Sequence, residues 1–75
     1  MTLDEFIEAF AEEFDDTELS EFKPETEFKT LDEWSSLTAL SIISMVDEQL
    51  DKTITGADIR ASKTIEDLYN LANSK

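Results

Sequence analysis

Residues 32–50, DEWSSLTALSIISMVDEQL, decide how this chain folds. From Ser36 to Leu50 there is neither glycine nor proline, and apolar residues return at helical intervals, so the stretch predicts a helix over 36–50. At about 100° per residue, Ala39, Leu40, Ile42, Ile43, Val46 and Leu50 gather on one broad side expected to face a core. The opposite side carries Thr38, Ser41, Ser44, Glu48 and Asp51, yet Leu37 falls among these polar residues and Met45 at their margin. Two readings stay open. Singly exposed apolar side chains are common on folded surfaces. Alternatively, Leu37 and Met45 supply contact area for a partner while Asp47, Glu48 and Asp51 steer its basic surface into place.

Two serines, Ser35 and Ser36, stand at the start of this helix, where one hydroxyl suffices to cap it. A serine nucleophile needs a neighbouring base, and without histidine or cysteine only a lysine or a carboxylate could serve. Catalysis by the serine pair is therefore not expected. A serine modified by another enzyme needs only exposure, and the free N–H groups and dipole at a helix start favour an attached phosphate.

Working outward, Thr2 and Glu5 have capping-box spacing, and Leu3, Phe6, Ile7, Phe10 and Phe14 then form the stripe of a first helix over roughly 3–14. From Asp15 to Ser35 the period lapses and Pro24 interrupts, which predicts a long loop pinned to the core by Leu19, Phe22, Phe28, Leu31 and Trp34. Loops of about twenty residues are unusual in small domains and tend to be functional. Beyond the central helix, "TITGADIRA" (53–61) allows a turn or two of helix. Thr64 and Asp67 open a last one along Ile65, Leu68, Tyr69 and Ala72. The expectation is one all-α domain spanning 1–75, a small four-helix bundle of three longer helices and one short one, with a long loop between the first and second.

Composition narrows function further. Nineteen acids against six bases give a net charge of -13, which repels nucleic acid and anionic lipid and attracts proteins with basic docking faces. Without cysteine or histidine there are no disulfides and no ordinary zinc ligands. The acidic run Glu12, Glu13, Asp15, Asp16 and Glu18 lacks EF-hand spacing and reads as a solvated face, so no metal site is assigned. No apolar run approaches the about 18 residues of a membrane span, and the first residues lack a signal-peptide pattern. A cytoplasmic monomer without membrane insertion is expected.

These residues resemble a known family. "WSSLTALSIISMVDEQLDKTITGADIRASKTIEDLYNLA" (34–72) is similar to the second half of an acyl carrier protein, and the order of elements is similar over essentially the whole chain. The family's Asp-Ser-Leu motif carries 4′-phosphopantetheine on its serine, and Ser36-Leu37 match the last two letters. "MVDEQL", Ile54, Thr64-Ile65 and Phe28 match further family positions. The family's Gly-Ala-Asp-Ser-Leu reads "EWSSL" here, with Glu33 for the glycine and Ser35 for the acid, and the often acidic positions that follow are Thr38 and Ser41. The resemblance implies a non-catalytic carrier with 4′-phosphopantetheine on Ser36. Its partners would be a phosphopantetheinyl transferase and acyl-loading and acyl-transferring enzymes with basic docking surfaces. It further implies an acyl pocket between the second and third helices, lined by Phe28, Val46, Ile54, Ile59 and Leu68, and Ser62 stands where the family often has an apolar side chain. The competing reading is an unmodified acidic adaptor that binds a basic protein through its second helix.

Overall fold

The computed structural model describes residues 1–75 and is all-helical: α1 (Leu3–Ala11), α2 (Ser36–Leu50), α3 (Gly56–Ala61) and α4 (Ile65–Asn73). The small four-helix bundle expected from the sequence is what forms, with three longer helices and one short one. α2 and α4 pack against one another and against both remaining helices, so these two form the centre. No helix is long and apolar enough to cross a membrane.

Three of the four helices begin with the same device. Thr2 and Glu5, Thr55 and Asp58, and Thr64 and Asp67 each make a complete capping box, the threonine hydroxyl accepting an N–H and the acid accepting the threonine's own. The first and third boxes follow from sequence spacing; the middle one turns the glycine-interrupted "TITGADIRA" into a defined six-residue helix. In each box the acid is held below the usual carboxylate range, chiefly by the backbone N–H it accepts.

α1 ends at Ala11 rather than at residue 14. The last turn tightens, with Glu13 N–H on the Phe10 carbonyl and Phe14 N–H on the Ala11 carbonyl, and Phe14 still reaches the core beside Phe10. The long connection contains two 3-10 turns, Leu19–Glu21 and Phe28–Thr30. It is anchored by aromatic packing: Phe28 lies edge-on to Phe10 (5.3 Å) and Trp34 (5.0 Å), and Phe22 lies against Phe14 (5.0 Å). Backbone bonds from Ile65 N–H to the Thr26 carbonyl and from Glu66 N–H to the Pro24 carbonyl tie it to the start of α4. Leu19, expected to help pin the connection, is instead largely exposed.

The helical wheel also needs correcting on α2. Leu40, assigned to the core, is 60% exposed, whereas Met45, assigned to a docking strip, is 5% exposed. The buried arc runs through Ile42, Met45 and Val46, with Ala39, Ile43 and Leu50 half-buried beside it. α1 packs along the Met45 side of α2 and forms a groove with Met45 among its walls. Leu40 stays at the exposed rim of that groove. The wheel gives angular spacing within one helix but not the side from which a neighbour approaches.

Candidate functional site

The start of α2 separates the two serines into different roles. Ser35 is the N-cap, with extended backbone, and its Oγ accepts the Thr38 N–H at 3.3 Å. Thr38 reinforces the turn by donating its own hydroxyl to the Glu33 carbonyl at 2.9 Å. Ser36 is the first helical residue; it is exposed and its hydroxyl makes no hydrogen bond within the chain. The N–H groups of Ser36 and Leu37 also have no intramolecular acceptor, as expected for the first turn of a helix. Capping is therefore complete without Ser36.

Trp34 does not cover this hydroxyl. It is half-buried, its ring packed on Phe28 and stacked at 6.5 Å on Phe14, so it seals the loop onto the core. Glu33, just ahead of the serines, has a structural role that spacing did not reveal. Its carboxylate accepts the N–H groups of Asp15 and Asp16, each at 3.0 Å at closest, and the Thr17 hydroxyl. These bonds, the Thr17 hydroxyl foremost and then Asp16 N–H, hold Glu33 below the usual carboxylate range. Glu33 thus staples the start of the long connection, at residues 15–17, to the residues just ahead of Ser36. Its partners lie 16 to 18 positions away in the chain, where no local pattern could point.

Ser36 opens onto a cleft of about 390 Å³ between the start of α2 and α3. Trp34, Ala39 and Ile59 form its apolar wall, while Lys29 and Arg60 supply its charge. Of the five residues expected to line an acyl pocket, Ile59 borders this cleft; Phe28, Val46, Ile54 and Leu68 lie behind it in the closed core. Ser62 is buried at the end of α3 and donates its hydroxyl to the Asp58 carbonyl at 3.0 Å, so this hydroxyl is satisfied without solvent.

A second feature lies along the α1–α2 groove. Leu37 (76% exposed) and Leu40 border it, with Glu12 and Glu13 just beyond the end of α1 and Glu48 from α2. Partial burial, together with the nearby charges of Glu48 and Glu12, pushes the Glu13 carboxyl up. Of the expected docking residues, Leu37, Asp47, Glu48 and Asp51 are exposed and Met45 is not; Leu40, previously assigned to the core, joins the exposed apolar surface. Asp51 also serves as the C-cap in the left-handed region at φ 55°. Asp47, Glu48 and Asp51 crowd the negative end of the α2 dipole, with no base in its last turn. Acids there oppose the helix by about 0.3–1 kcal/mol each, so helix stability does not account for them.

Comparison with protein-family models, curated proteins and solved structures returns no match for this chain.

Proposed function

We propose that this chain is an acyl carrier protein that bears 4′-phosphopantetheine on Ser36 and presents acyl or related groups as thioesters to partner enzymes. The observation that supports this most is the division of labour at the α2 start, where Ser35 caps the helix and Ser36 is left exposed and unbonded. The surroundings fit a phosphodiester: two unsatisfied backbone N–H groups at a helix N-terminus and two cations bordering the same cleft.

In this reading the Ser36 oxygen is the acceptor of the arm from coenzyme A: the new phosphodiester bond forms as the pyrophosphate bond breaks and the adenosine bisphosphate leaves. A separate transferase supplies the base that removes the serine proton. When bound, the arm contributes the thiol that carries the acyl group, and the chain has no cysteine to compete for it. Trp34, Ala39 and Ile59 provide an apolar wall for the arm or its cargo. Entry to Phe28, Val46, Ile54 and Leu68 requires α3 to separate from α2, because these side chains are closed in the core. Partner enzymes with basic docking surfaces meet the Leu37–Leu40 surface and its rim of Glu12, Glu13 and Glu48.

Co-expression with a broad-specificity phosphopantetheinyl transferase should add the mass of one arm. Ser36→Ala should abolish the addition, and Ser35→Ala should not. An unmodified chain under every transferase tried would overturn the carrier reading. The alternative is an acidic adaptor, favoured by the two exposed leucines beside carboxylates on the α1–α2 groove. It would show as tight binding to a basic partner that survives Ser36→Ala and is lost in Leu37→Glu.

A further inference from the structure

Three clefts mark the surface, and their charge differs. The α1–α2 groove carries Glu12, Glu13 and Glu48, and a second, near the end of α1, carries Glu8 and Glu12. The cleft beside Ser36 has no carboxylate in its lining and two cations, Lys29 and Arg60. In a chain of 19 acids and six bases, that is the reverse of the surrounding field.

Neither cation is neutralised within the fold. The one ion pair of the molecule joins Lys75 to Asp58 at 3.0 Å. The Lys29 ammonium is held in place by donating to the Arg60 carbonyl at 2.9 Å, which leaves two of its three N–H groups free. The Arg60 guanidinium makes no hydrogen bond and folds back over Gly56: a Cβ at that position would stand 3.3 Å from its Nη1. Gly56 therefore gives the guanidinium room to lie along the cleft wall rather than extend away from it.

We propose that Lys29 and Arg60 form a phosphate-ester site facing Ser36, in which the arm's phosphate is held and the arm lies along Ala39 and Ile59 instead of swinging freely. The proposal rests on the carrier reading for its ligand. The donors are complementary to a phosphate's acceptor oxygens: a guanidinium fork, an ammonium, and the free N–H groups of Ser36 and Leu37. Trp34, Ala39 and Ile59 then give the uncharged part of the arm an apolar surface. Retaining the arm keeps it at one face of a strongly acidic molecule until a partner with its own cations competes for the phosphate.

Intact mass first establishes whether Ser36 is loaded. In the loaded chain, nuclear Overhauser contacts are expected between the arm's methyl groups and Ile59 or Trp34. These should be lost in Arg60→Gln and Lys29→Gln, partly kept in Arg60→Lys, and unchanged in Lys23→Gln, which alters net charge equally outside the cleft. A loaded arm without such contacts, or equal loss in Lys23→Gln, overturns the site while leaving the carrier reading intact. If no transferase loads the chain, the carrier reading fails and the unmodified protein is titrated with free 4′-phosphopantetheine at low salt. Saturable amide shifts at Ser36, Leu37 and Arg60, weakened about three- to tenfold by Arg60→Gln and not by Lys23→Gln, would support the site. Absence of those shifts would overturn it.

Discussion

Replacing Ser35 and Ser36 one at a time should separate stability from modification. Ser35→Ala removes an N-cap, a loss of about 0.5–2 kcal/mol in general. The bond concerned is 3.3 Å long, beyond the usual N–H···O range, and water can reach the exposed Thr38 N–H left behind. The cost therefore falls in the lower part of that range, about 0.5–1 kcal/mol, or a drop in Tm of about 2–8 °C for a domain of this size. Ser36→Ala removes an exposed, unbonded hydroxyl and places a better helix former at the first helical position, so stability should stay within about 0.5 kcal/mol. Thermal unfolding followed by far-UV circular dichroism, with intact mass after transferase treatment, reads both effects on the same samples. Ser35→Ala should melt earlier and still load; Ser36→Ala should melt normally and not load. Equal destabilisation by both variants, or loss of loading in Ser35→Ala at unchanged Tm, would refute the division of roles.

Met45→Ala should cost about 2–5 kcal/mol and Leu40→Ala less than about 0.5 kcal/mol in urea unfolding, the reverse of what the helical wheel implies. Glu33 has its carboxyl lowered in the fold, so its contribution is fully present above the unfolded value of about 4.3 and is lost as pH falls through the lower folded value. The Tm gap between the wild type and Glu33→Gln should accordingly be widest near neutrality and begin to shrink as pH falls below the unfolded value; a gap independent of pH would contradict the assignment. Asp51→Gly relieves a left-handed residue and an acid at the α2 C-terminus, and should raise the urea midpoint by an amount equivalent to about 0.5–1 kcal/mol. Moving from low to moderate salt should raise Tm by screening the -13 net charge, most visibly for groups such as Glu13 that face other acids; a flat response would exclude repulsion as a limit on stability.

Much of the architecture is local and hence legible in the sequence. The capping-box spacings Thr2/Glu5 and Thr64/Asp67 set the beginnings of α1 and α4, because the bonds concerned lie within four residues. The uninterrupted period from Ser36 to Leu50 sets α2 for the same reason, and the absence of cysteine and histidine restricts the chemistry without reference to any fold. That a hydroxyl stands at this helix start is also read directly, whereas the preference for Ser36 over Ser35 comes from the family resemblance and not from spacing.

What tertiary structure alone decided concerns side chains whose partners come from distant parts of the chain. α1 approaches α2 from the Met45 side, which buries Met45 and leaves Leu40 outside, and a wheel drawn for one helix has no term for that approach. Glu33 reaches back to Asp15, Asp16 and Thr17, turning an apparent irregularity ahead of Ser36 into a staple between two loop ends. Lys29 and Arg60 stand 31 positions apart and meet only when the loop packs beside α3. Hydrogen bonds within one turn follow from backbone geometry and residue type, whereas burial and the sharing of a cleft depend on where the whole chain places each surface.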